Sequence, residues 1–190
     1  MNIYERLDEI LPIIKDKEFM ESKGIGNEIG FYIFDYEAKY EILVRNHIKD
    51  LKEKVNKKNL NFYIREFDLY EMMIKIIEEK GYLEELFKME EEKGTKNIVK
   101  PIKTTLRFTQ KNDLLIDYLK KSVEEKDIVF ITGVGKVWPI IRTHTILNNL
   151  QPVVNVPVIM FFPGEYSGLE LHLFNKIEDE NYYRAFRLVE

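Results

Sequence analysis

The chain has 190 residues, a length that fits one domain. Its 45% hydrophobic and 13% aromatic content rules out wholesale disorder, and the lack of cysteine removes disulfides, thiol nucleophiles and thiolate metal sites together. A formal net charge of −4 gives no overall attraction to nucleic acid, and the three histidines, His47, His144 and His172, lack the short spacings of a zinc site.

The opening residues carry no charged-then-apolar secretory pattern, so a cytoplasmic location is expected. Ile3–Lys15 predicts a helix with Ile3, Leu7, Ile10, Leu11 and Ile14 on one stripe, which Pro12 should kink or shorten. Gly24-Ile25-Gly26-Asn27 is turn chemistry leading into a strand over 29–36. That strand is apolar almost without alternation until Asp35, as expected where both faces are covered. A helix over 37–57 should turn Tyr40, Leu43, Val44, Ile48, Leu51 and Val55 inward, and a second strand follows over 60–67. Asp68 and Glu71, three apart, form the capping signature of the next helix, whose buried stripe is Leu69, Met72, Met73, Ile76 and Ile77. Gly81 ends or bends it. Residues 82–93 predict another helix with Leu83, Leu86 and Phe87 inward, and 106–123 one more from about Gln110.

Asp127–Thr132 reads as the third strand, followed by a Gly133-Val134-Gly135 turn, a helix over 137–150 and a fourth strand over 157–162. The charge-free run 143–164 is long enough to span a bilayer, but it contains Asn148, Asn149, Gln151, Asn155 and three prolines. A buried helix and strand are expected instead, with no membrane partner. Leu169, Leu171 and Leu173 alternate with Glu170, His172 and Phe174, and 183–189 is a second short run of strand formers. These two predict an antiparallel pair at the sheet margin. The whole reads as a single α/β domain over 1–190 with three layers, a mainly parallel sheet and an antiparallel C-terminal edge. Its core is a degenerate nucleotide-binding-like one, with a helical insertion around 69–123.

Ligands of open α/β sheets bind outside the carboxyl ends of the strands, which makes Asp35, Glu66, Asp68, Gly133, Gly135, Lys136, Glu165 and Tyr166 comparable. The corner at Gly135-Lys136 supplies the end of a phosphate loop, but Phe130 stands where its first glycine belongs and Val137 where a hydroxyl should hold magnesium. Its amides and Lys136 can hold an anion, or the glycines can serve a tight turn alone. On the following helix Ile140, Thr143, Leu147 and Leu150 share a face that can bury. Arg142, Thr145 and Asn149 share another, and His144, Asn148 and Gln151 a third. These polar stripes read a ligand or stitch the helix to neighbouring loops, with Arg142 suited to pair with Glu165 or Asp35. Asp35, Asp68 and Glu165 together can hold magnesium, although Asp68 already has a capping role. No serine or threonine stands in a recognisable spacing with a base, and neither a cofactor nor a catalytic residue is assigned. Lys96, Lys100, Lys103 and Arg107 fall near helical spacing in a segment, 93–111, that has no acid, and they either track phosphates or form a solvated face.

Four stretches carry a family resemblance in order. They are Gly24-Ile25-Gly26-Asn27-Glu28-Ile29 with Phe31 to Tyr36, and Phe130-Ile131-Thr132-Gly133-Val134-Gly135 with Pro139, Arg142, His144 and 147–151. Phe161-Phe162-Pro163-Gly164-Glu165-Tyr166 and 181–188 complete them; 93–111 lies outside these motifs. The chain resembles the BrxB family, a component of bacterial BREX systems that restrict bacteriophage. The resemblance implies a cytoplasmic protein working beside a DNA methyltransferase, an ATPase and the alkaline-phosphatase-like protein PglZ, with PglZ its direct partner. The expected role is a non-enzymatic interaction or scaffold subunit. The alternatives are a nucleotide- or magnesium-dependent enzyme using Asp35, Lys136, Arg142 and Glu165, and a DNA-binding accessory subunit using Lys96, Lys100, Lys103 and Arg107.

Overall fold

The computed structural model describes residues 1–21, 23–24, 28–58, 60–108, 110, 112–179 and 185–190. Helix α1 (Ile3–Lys15) starts at Asn2, whose side chain accepts from the Tyr4 and Glu5 amides while Glu5 reaches back to the Asn2 amide. It runs its full length through Pro12, whose missing amide leaves the carbonyl of exposed Asp8 without its helical partner. Helix α2 (Lys17–Glu21) follows, and β1 (Lys23–Gly24) pairs antiparallel with β2 (Glu28–Ile29). The turn read at Gly24-Ile25-Gly26-Asn27 lies largely outside the described residues.

The main sheet begins with β3 (Phe31–Tyr36), continues through α3 (Glu41–Lys57) to β4 (Tyr63–Asp68), and then leaves for four helices. These are α4 (Leu69–Glu79), α5 (Leu83–Lys93), α6 (Thr95–Thr105) and α7 (Leu114–Ser122). The chain returns as β5 (Asp127–Thr132), a single turn α8 (Val134–Val137), α9 (Thr143–Leu150) and β6 (Val158–Tyr166). Last come β7 (Leu171–Leu173), β8 (Ile177–Asp179) and β9 (Phe186–Arg187). The order β4-β5-β6-β3-β9 is parallel throughout, and β7 and β8 extend β6 as an antiparallel hairpin.

Each central strand sends alternate side chains to two separate cores, which explains the unbroken apolar runs. Ile33, Ile131 and Met160 face the core built by α4, α6, α7 and α9; Phe34, Phe130 and Phe161 face the one built by α1 and α3. A mainly parallel sheet between two helical layers is the architecture read from the sequence. Among the described residues no helix is long and apolar enough to cross a membrane.

Several local readings need correction. The helix expected over 137–150 breaks after Val137, because Trp138 precedes Pro139 and takes an extended backbone, as pre-proline residues do. Helix α6 went unpredicted: Gly94, at φ +80°, starts it, and Ile98 and Ile102 bury one stripe despite Pro101. Helix α7 starts at Leu114, later than expected, because Asp113 caps it by accepting from the Leu115 and Ile116 amides. Phe87, expected inward, is 53% exposed. The antiparallel partner of β7 is β8, and β9 instead joins the far edge of the sheet parallel to β3. Part of the run 183–189 lies outside the described residues.

Strand β4 is a sheet edge, and its outward-facing backbone is blunted at one place. The Asn56 side chain donates to the Ile64 carbonyl at 3.0 Å and accepts from the Ile64 amide at 2.9 Å, imitating a neighbouring strand. Asn56→Ala should lower the unfolding free energy in urea by about 1–2 kcal/mol and raise the aggregation rate on mild heating.

Beneath α1, burial holds the His47 imidazole below its usual range, against the opposing pull of Asp8, Asp50 and a hydrogen bond with the Leu7 backbone; Lys54 adds to the depression. Protonation is therefore harder in the folded chain. The associated stability is complete above the ordinary imidazole value of about 6.5 and is lost as pH falls through the lowered one. Melting curves between pH 7.5 and 5.5 should fall less steeply for His47→Gln than for the parent.

Candidate functional site: the strand-end rim

Asp35, next to last in β3, is buried at the carboxyl end of the sheet. Its Oδ1 accepts from Arg6 Nη2 at 2.7 Å, and Arg6 Nη1 donates to the Asp35 carbonyl at 2.8 Å. Its Oδ2 accepts the Tyr166 amide at 3.0 Å and lies 3.5 Å from Arg187 Nη2. Arg187 also donates to the Tyr166 carbonyl, and Arg6 Nη2 to the Val189 carbonyl at 3.1 Å. The guanidinium of Arg6 lies over the Phe34 ring at 4.9 Å. Both carboxylate oxygens of Asp35 are thus committed to the protein itself.

Tyr166 belongs to this cluster and is 0% exposed. Its hydroxyl is shared between the carbonyls of Ala185 at 2.7 Å and Gly168 at 3.0 Å. On the far side of β3, burial and the Glu41 carboxylate push the Tyr36 phenol far above its usual range; it donates to Glu41 Oε2 at 2.6 Å.

The glycine corner after β5 is the second cluster. Gly133 takes φ +73°, and a Cβ there would collide with the Asp68 carboxylate, so only glycine fits on both counts. Asp68 caps α4, accepting from the Tyr70 and Glu71 amides, and its other oxygen takes Lys136 Nζ at 2.5 Å. A carboxylate of the chain thus lies against the corner on which an anion was expected. Gly135 has a separate reason: a Cβ there would lie 2.9 Å from the Phe174 ring and 3.2 Å from Pro163. Glu66 bridges Lys52 Nζ at 2.6 Å and Thr132 Oγ1 at 3.0 Å.

The remaining candidates scatter. Arg142 precedes α9 and is exposed, so neither Asp35 nor Glu165 takes it. Glu165 is exposed in register with His172 of β7; His144 and Asn149 are half-buried, and Asn148 is exposed. The trio Asp35, Asp68 and Glu165 does not assemble, since two members serve separate clusters. Among the described residues no group of three acidic or histidine side chains can hold a metal ion. Lys96, Lys100 and Lys103 share α6, and Arg107 follows it, away from the rim.

Three residues of the rim escaped the sequence reading. Arg6 stands three from Ile3 and four from Ile10, so a cation flanking the buried stripe of α1 was the available signal. Arg187 has no local signal, because its partner comes from a strand 152 positions earlier, by the difference between residues 187 and 35. Trp138, the single tryptophan, is 43% exposed at the corner.

Asp35→Ala leaves two guanidinium groups without their carboxylate, and should lower the unfolding free energy by about 3–5 kcal/mol. Chemical denaturation followed by tryptophan fluorescence checks this. Glu165→Ala, at an exposed position, should move the midpoint by no more than about 0.5 kcal/mol.

The family model described as BREX protein BrxB matches residues 65–188, a span that includes α4 to α7 and therefore 93–111. A BREX protein BrxB of Bacillus cereus (strain H3081.97) is 59% identical over 189 residues, 99% of this chain and 98% of that one. A BREX protein BrxB of Escherichia coli O9:H4 (strain HS) is 36% identical over 187 residues, 97% of this chain and 90% of that one. No solved structure matches. The chain belongs to the BrxB family, a component of the BREX phage-defence systems.

Proposed function

We propose that this BREX component is a non-enzymatic interaction subunit, and that it docks a larger BREX protein, of the PglZ type, through the strand-end rim. One observation carries the reading. Asp35, Asp68 and Lys136 are engaged within the chain, while large apolar side chains of the rim stay in solvent. Tyr70 follows Asp68, Trp138 follows Lys136, and Phe174 closes over Gly135; all three are exposed, as is Leu169 between β6 and β7. Exposed tryptophan, tyrosine and arginine are the residue types that dominate binding energy at protein interfaces, and Arg142 adds the third. Bonds at Asp35 and Asp68 tie down the backbone beneath that surface, which limits the order lost on docking.

Nucleotide or magnesium chemistry at Asp35, Lys136, Arg142 and Glu165 finds less support. Two of these four side chains are engaged in ion pairs within the chain, and the other two point to solvent.

Size-exclusion chromatography of the purified chain with its PglZ-type partner should show co-migration at micromolar concentrations. Trp138→Ala combined with Arg142→Glu should weaken that complex at least about 30-fold, the loss of one interface anchor worth roughly 2 kcal/mol. No co-migration with the parent chain, or full binding by the double variant, counts against the docking surface.

A further inference from the structure

Helices α4 and α5 meet at Gly81, and α6 folds back beside α5, so that residues distant in sequence enclose one basic cavity. The cavity, about 580 Å³, is lined by Lys80, Tyr82, Lys100, Thr104, Thr105 and Arg107, with Pro101 between them. No acid lines it. Among the described residues neither Lys80, Lys100 nor Arg107 has a carboxylate within ion-pair distance. Its size falls within the roughly 300–1,000 Å³ common for small-ligand sites.

Ordinary helix electrostatics account for part of this charge and not for the rest. Lys80, Lys103 and Arg107 sit at the carboxyl ends of α4 and α6, where cations offset the helix dipole. Lys96 is the second residue of α6, the end where a cation is unfavourable, and that first turn has no acid. Lys100 is one turn further on and lines the cavity. Lys96, Lys100 and Lys103 lie on the face of α6 opposite buried Ile98 and Ile102, and of the three Lys100 lines the cavity, together with Lys80 and Arg107. A phosphodiester chain is a polyanion whose successive charges several cations in one groove can neutralise.

Tyr82 decides between the forms of such a chain. Its ring is 47% exposed at the cavity wall, and an exposed aromatic beside cations offers a surface for an unstacked base. In a duplex the bases are already stacked on each other. We propose that this cavity binds single-stranded nucleic acid, with Lys80, Lys100 and Arg107 on consecutive phosphates, Thr104 and Thr105 as hydroxyl donors, and Tyr82 under one base. The site is separate from the rim, and the inference does not rest on the docking role.

Fluorescence anisotropy with a labelled fifteen-nucleotide oligo-dT tests it. Three phosphate contacts on a single strand predict that raising salt from 50 to 200 mM weakens binding roughly 20-fold. Tyr82→Ala should weaken it by a factor of about 5 to 100 at fixed salt, and Tyr82→Phe should leave it within about twofold. Lys100→Glu with Arg107→Glu should abolish it, with an unchanged circular dichroism melt as proof of folding; Trp138→Ala should bind like the parent. The proposal is overturned by no binding to the oligonucleotide at 50 mM salt, or by equal binding in the Lys100→Glu, Arg107→Glu variant. It is likewise overturned if a duplex or polyglutamate binds as tightly as the single strand, or if Tyr82→Ala has no effect, since each leaves only an unspecific cationic surface.

Discussion

The Asp35 carboxylate connects chain segments that nothing local would bring together. Through it the first helix (Arg6), the middle of the sheet (β3), the end of β6 (Tyr166) and the edge strand β9 (Arg187) share one buried point. Arg6 then reaches Val189, so residues 183 positions apart are in direct contact. A buried charge is expensive to desolvate, and here hydrogen bonds to both oxygens and two guanidinium groups offset that cost. The directional demands of those bonds also fix how far β6 runs past β3 and where the C-terminal residues must lie. The cluster thus sets the geometry of the rim on which the other features stand.

At the corresponding place in open α/β sheets, free amides and charges usually face a ligand. In this chain the same positions are occupied from within. The left-handed Gly133 lets the backbone pass close to Asp68, and Lys136 closes on the opposite oxygen. The carboxylate therefore does double duty as the cap of α4 and the counter-ion of the corner. An external phosphate would have to displace it, at the expense of an ion pair and two capping bonds. Locking the corner in this way holds α4 and α8 in fixed relation, and with them the exposed Tyr70 and Trp138.

What could be read from the sequence followed the range of the interaction. Strand β5, the stripe of α4 and the Asp68 cap depend on neighbours within a few residues, and each was legible. Long apolar runs announced strands covered on both faces, and two cores were found there. Asp35 was singled out as a rim residue, but its fate depended on Arg6 and Arg187, which no spacing connects. Tyr166 was read as a ligand candidate because the fourth strand was expected to end at Phe162, whereas β6 runs on to bury it. The register of β9 was hidden for the same reason: two residues that pair with β3 carry no sign of which edge they join. Helix α6 was obscured by Pro101, whose lost amide is tolerable only because Ile98 and Ile102 bury against a neighbouring helix.

The helices between β4 and β5 and the rim carry different chemistry. The rim offers exposed aromatic side chains above ion pairs made within the chain, a combination suited to a protein partner. The segment 93–111 offers cations with no acid among them, and the fold adds Lys80 and Tyr82 from outside it. Helix α5 next door is acidic along Glu84, Glu85, Glu90, Glu91 and Glu92, so the two packed helices carry charge of opposite sign. Because α4 carries the Asp68 cap at its start and Lys80 at its end, the helix of 11 residues spans from one surface to the other. The Asp68–Lys136 pair fixes the start of α4 at the glycine corner, and the end of the same helix brings Lys80 to the basic cavity.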